Sequence, residues 1–143
     1  MDAWPFSEED WSSIEEAVVD LVNSTDEKDD ELIATKLKDV YDLLEALAIK
    51  YGPHPVLYET KADIIPNPKE RVELYKEAIF LAEINYLTAI SSRLSLAEVL
   101  IEDLGDYEAA KKELEACKVE LTEDDMEEWS ALTERANRNN SVS

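Results

Sequence analysis

"GDYEAAKKELEAC", residues 105–117, decides the fold. Gly105-Asp106 makes a turn that opens into a helix, and the residues after it repeat their apolar and small side chains at helical spacing. Small side chains stand at Ala110, Ala116 and Cys117. Larger apolar residues would bury more surface there, so the choice of small ones implies that another helix backbone comes close.

The same pattern of helix, tight turn and helix extends in both directions. Ser7 is a candidate N-cap with acids behind it, followed by Trp11, Ile14, Val18, Leu21 and Val22 on one stripe. After Asn23-Ser24-Thr25-Asp26, a second helix carries Ile33, Leu37, Val40, Leu44 and Leu47, and Gly52-Pro53 stops it. A short third helix runs from about Pro55 to Ile65. Asn67-Pro68-Lys69-Glu70 supplies an N-cap, a first-turn proline and a capping glutamate for the fourth, which bears Val72, Tyr75, Ala78, Ile79 and Ala82. A fifth helix is expected from about Tyr86 to Leu104, the sixth after Gly105, and a seventh after Thr122 with Met126, Trp129 and Ala136. The tail 137–143, "NRNNSVS", has too little apolar content to pack and is expected to fray. The chain uses only 2 glycines and 5 prolines, which fits helices joined by short turns rather than a sandwich or barrel. The expectation is an all-α protein of about seven helices in a single domain over residues 1–136.

Two helix pairs, "HPVLYETKADIIPNPKERVELYKEAIFLAE" and "AISSRLSLAEVLIEDLGDYEAAKKELEACKVEL", resemble the tetratricopeptide (TPR) repeat. The second helix of that repeat carries a small residue, a large one four later and a small one three after that. Ala110, Leu114 and Cys117 stand at those places; in the earlier pair Tyr75 and Ala78 match, but Arg71 replaces the small residue. Tyr75 and Leu114 are 39 positions apart (114 − 75), against the 34 usual in the family. The resemblance is thus to a degenerate repeat, with pairs at about 54–84 and 86–121. It implies a right-handed layered array of antiparallel pairs, whose first helices line a groove.

Charge narrows the function. With 35 acids against 14 bases the formal net charge is −21, which repels nucleic acid and anionic membrane surfaces and attracts basic proteins. The alternative reading of the same number is that acidity only keeps the chain soluble. One cysteine allows no internal disulfide, no secretory leader pattern opens the chain, and no apolar run approaches a membrane span, so a cytoplasmic location is expected.

No residue pattern supports catalysis. His54, the single histidine, lies between two prolines without a marked partner for proton transfer, and Cys117 sits on a packing stripe. The acid runs 25–31 and 122–128 lack the glycine and ligand alternation of a calcium loop. Neither a cofactor nor a metal is expected, and the chain reads as a non-enzyme. The fifth helix is apolar on most sides but carries Thr88, Ser91, Ser95, Glu98 and Glu102 on one narrow stripe. Glu59 and Asp63 make a shorter stripe on the third helix. The TPR resemblance points both stripes into one groove, making these seven the candidate partner-binding residues; an ordinary solvated face is the competing account. The implied function is an interaction protein that neutralises a basic partner, as bacterial immunity proteins neutralise toxin domains. The alternatives are a TPR-type secretion chaperone and a peptide-binding regulatory scaffold. Residue patterns leave the oligomeric state open.

Overall fold

The computed structural model describes residues 4–141. Among them it contains seven α-helices and one 3-10 turn, and no strand. The helices are α1 (Glu8–Ser24), α2 (Asp30–Tyr51), α3 (Pro55–Ile64), α4 (Pro68–Ile84), α5 (Ile90–Glu102), α6 (Tyr107–Cys117) and α7 (Glu123–Ser141), with the 3-10 turn at Thr25–Glu27. The chain forms two compact units, residues 1–57 and 58–143, with the division inside α3.

In the first unit, α1 and α2 form a helical hairpin. The Ser7 side chain accepts from Asp10 N–H at 3.1 Å to start α1, and Asp29 accepts from Leu32 N–H at 3.1 Å to start α2. Gly52, at φ +87°, ends α2 with its N–H on Ala48 O. Two helices bury only a narrow seam: Ile14, Leu21, Val40, Leu44 and Leu47 are buried. Val22, expected on that seam, is instead exposed, because it lies one residue past Leu21 on the outer flank of α1. An aromatic cluster closes one end of the hairpin. Phe6 stacks on Trp11 at 5.5 Å and meets Tyr51 and His54 edge-on at 5.0 and 5.3 Å. The Tyr51 hydroxyl and Lys50 both donate to Asp10, at 2.5 and 2.7 Å, and hold its carboxyl below the usual aspartate range, Lys50 having the larger effect.

In the second unit, α4, α5, α6 and α7 pack in sequence, and α7 also reaches α5. Asn67 caps α4 through Lys69 and Glu70 N–H, and Asp106 caps α6 through Ala109 N–H at 3.1 Å. The core joins Tyr75, Leu96, Ala97, Val99, Ala110, Leu114, Cys117, Leu132 and Ala136. Ala110 and Cys117 have no exposed surface, consistent with close approach of α5 and α6, while Ala116 faces outward. Trp129 Nε1 donates to Leu114 O at 2.7 Å, pinning α7 to α6.

Two boundaries differ from the sequence reading. The helix expected from Tyr86 begins at Ile90, because residues 85–89 form the turn that ends α4. At the far end α7 runs to Ser141, into the segment expected to fray; positions 142 and 143 lie outside the described residues. A polar segment can continue a helix without packing, since the ladder of backbone hydrogen bonds needs no apolar side chain.

Candidate functional site

α5 is the best-buried helix of the second unit. Ile90, Ser92, Leu94, Leu96, Ala97, Val99, Leu100 and Ile101 are all buried. What remains is Arg93 and a stripe of Ser91, Ser95, Glu98 and Glu102, of which Ser95 is half-buried and the other three are exposed. Thr88, expected at the head of that stripe, lies before the helix starts, where its side-chain oxygen accepts from Ile90 N–H at 3.4 Å.

The stripe of α3 meets that of α5 at one point. The Ser91 hydroxyl donates to Glu59 Oε1, and buried Ser92 also hydrogen-bonds Glu59. Partial burial pushes the Glu59 carboxyl above its usual range; the two serines pull it back and the neighbouring Asp63 adds to the rise. Asp63, one turn on, accepts from the Tyr75 hydroxyl at 2.5 Å. Its carboxyl is also raised by desolvation, against the pull of Tyr75 and Arg71. Both carboxyls are incompletely solvated, so an incoming cation would offset part of the desolvation cost of their charged forms.

Arg71 of α4 reaches both α3 and the C-cap of α5. Its Nε donates to Ala62 O at 3.0 Å, and its guanidinium lies 3.7 Å from Asp103. The repeat pattern calls for a small residue at that position; here the long side chain instead reaches α3 through a hydrogen bond.

The remaining stripe carboxylates behave differently from each other. Glu102 is engaged internally, in an ion pair with Arg135 of α7. Glu98 is exposed. The stripes therefore converge at Glu59 and Ser91, while Asp63 is held by α4 and Glu102 by α7.

Two features escaped the sequence reading. Arg93 reaches from α5 to Glu83 on α4 and to Glu113 on α6, the latter at 2.7 Å, clamping three helices. Nothing in the spacing of Arg93 marks it, because its partners are 10 and 20 residues away in the chain. In the first unit, Glu16 and Asp20 of α1 face Asp39 and Asp42 of α2 across an open acidic furrow. The helix periodicity places each of these carboxylates on an outer face, but only the hairpin brings them together.

The single histidine and the single cysteine are both buried. His54 is buried among the aromatics, and its Nδ1 accepts from Val56 N–H at 3.1 Å. Burial pushes the Cys117 thiol up to about 11, despite the attraction of Arg93, which keeps it protonated at neutral pH. Among the described residues, no group of three or more His, Cys, Asp or Glu is placed to hold a metal ion. Nor is any helix long and apolar enough to cross a membrane.

No family model, curated protein or solved structure matches this chain.

Proposed function

We propose that this chain is an acidic TPR-like scaffold, a right-handed layered array of antiparallel helix pairs, that binds and neutralises a basic protein. A bacterial toxin domain is the partner that this chemistry suits, which makes the chain an immunity protein. The observation that carries the reading is α5, a helix buried on its other sides that opens one polar stripe towards solvent, joined at Ser91 to Glu59 of α3. The sequential packing of α4 to α7 and the fully buried Ala110 are in keeping with a repeat-like array.

The mechanism follows from the charge. A net charge of −21 draws a basic surface in over a long range and accelerates encounter. Once docked, lysine or arginine side chains of the partner meet Glu98 and the partly desolvated Glu59 and Asp63. Their charge-assisted hydrogen bonds slow dissociation, and the partner's basic face, which would hold an anionic substrate, is covered.

The test is co-expression with toxic basic domains encoded beside this chain. Growth should be restored, and the purified complex should form more slowly as salt rises from about 0.1 M to about 1 M, where the screening length falls from ~10 Å to ~3 Å. A partner bound through an uncharged face, or association indifferent to salt, would refute the proposal.

A further inference from the structure

The end of α4 has the hydrogen bonds of a Schellman motif. Leu87 N–H donates to Ala82 O at 2.8 Å and Tyr86 N–H to Glu83 O at 3.3 Å. The residue at the left-handed position is Tyr86, at φ +57°. Glycine is the usual occupant of this position because a Cβ is crowded there, and α5 ends with just such a residue, Gly105 at φ +62°. Tyr86 therefore bears a conformational cost that its ring does not recover by burial, since it is 98% exposed. Strain of this kind, held by a residue that contributes nothing to the core, points to a use outside the fold.

The ring is not alone. Phe80 and Ile84, one turn apart on the outer face of α4, are both more than half exposed. The turn after α6 lies alongside, because Glu120 accepts from Ala89 N–H at 3.4 Å, and on that turn Val119 is 91% exposed. Glu73 and Glu77 precede Phe80 and Ile84 on the same stripe of α4 and are exposed. Lys76 lies 4.0 Å from Glu73, so the patch is apolar at one end and carries mixed charge with an acidic excess at the other.

We infer that Phe80, Ile84, Tyr86 and Val119 form a docking surface for a protein segment that places apolar side chains on the patch and lysine or arginine against Glu73 and Glu77, with Tyr86 as the anchor. Charge selects this occupant. A second copy would bring together two chains of −21 each, and an anionic lipid surface is repelled for the same reason. An exposed aromatic beside aliphatic side chains, rimmed by charge, is the composition from which interface hot spots are made. The surface does not use Glu59, Asp63, Ser91 or Glu98, so it stands independently of the proposed function.

The experiment pans a random-peptide display library on the full chain and measures the enriched peptides on Tyr86→Gly and on Phe80→Ser/Ile84→Ser. Tyr86→Gly should raise the melting temperature, as relief of strain requires, and weaken the peptides by roughly tenfold. The double serine variant should weaken them without unfolding the chain, and the peptides should combine apolar residues with lysine or arginine. Several results overturn the inference: no enrichment, peptides that are acidic or wholly polar, or affinities that neither variant changes. So does a melting temperature that falls with Tyr86→Gly, which would mean that the ring serves the fold. Sedimentation showing a dimer that Tyr86→Gly dissolves would replace the peptide by a second copy.

Discussion

The Tyr75 hydroxyl donates to Asp63 Oδ1 at 2.5 Å, across 12 residues, and so ties α4 to α3 where the two helices do not pack closely. Tyr75 is otherwise buried in the core, 1% exposed. Tyr75→Phe keeps that packing and removes only the donor. Asp63 is exposed enough to be rehydrated, so the loss should be about 1 kcal/mol, measured by urea denaturation. The hydrogen bond holds the Asp63 carboxyl down against burial, so a nuclear magnetic resonance titration should find it higher in the variant. An unmoved Asp63 would mean that the bond is not made in solution.

Ala110 tests the α5–α6 crossing in the same unit. It has no exposed surface and stands where the repeat pattern asks for a small side chain. Ala110→Leu adds three heavy atoms with nowhere to go and should cost about 1–3 kcal/mol. Ala116→Leu, on the solvent face one helical position from Cys117, is the matched control and should cost much less. Equal melting curves for both variants would place the crossing elsewhere.

These two sites show why part of the molecule was legible in the sequence. Helix caps are local: Ser7 and Asn67 bond N–H groups two or three residues on, so chain order alone identifies them. The small side chains Ala110 and Cys117 were legible because close packing demands them whatever the neighbour is. Long-range side-chain pairing has no such signature. Arg93 joins three helices through partners set by tertiary packing, and the pairing of Glu102 with Arg135 of α7 is equally invisible in the periodicity that places Glu102 on the polar stripe. The polar stripe of α5 was visible as a periodicity, but Thr88 fell outside it because the Schellman turn at Tyr86 delays the helix to Ile90. A tyrosine at the glycine position hides that turn from sequence.

The carboxyls of Glu59 and Asp63 set a pH dependence. Burial raises both above their ordinary values of 4.5 and 3.8, so near those values the folded protein holds protons that the unfolded chain has released. Folding should therefore strengthen as the pH falls from neutral towards the raised values, and the penalty should be complete above them. Asp10 acts oppositely but in a lower window, its carboxyl being held below 3.8, so its stabilisation is lost only under stronger acid. Urea midpoints should rise on acidification from neutral into the range above those ordinary values, and Glu59→Gln should flatten that rise. Tyr75, raised to about 12, and Cys117, raised to about 11, extend the same sign into alkali, because the unfolded chain ionises first there. A wild-type midpoint that drops as the pH falls through that range would contradict the desolvation of this pair.

Charge reversal separates long-range attraction from contact in the proposed complex. Glu98→Lys, Asp39→Lys and Glu123→Lys each change the net charge equally, from −21 to −19 (−21 + 2), so long-range steering should suffer alike in all three. Glu98 lies on the exposed stripe of α5, Asp39 lines the furrow of the first unit, and Glu123 opens α7. Glu102 is unsuitable for this comparison, since its reversal would set a lysine against Arg135 and disturb the α5–α7 packing itself. If the stripe is the contact surface, Glu98→Lys places like charges together and leaves a partner cation unpaired, which should cost about 2 kcal/mol or more and appear chiefly in the dissociation rate. The other two should slow association modestly, and that effect should fade at about 1 M salt, where the screening length is ~3 Å. Surface plasmon resonance on the purified complex distinguishes the cases. Equal losses from all three would reduce the stripe to a solvated helix face, and a dominant loss from Asp39→Lys would move the contact to the α1–α2 furrow.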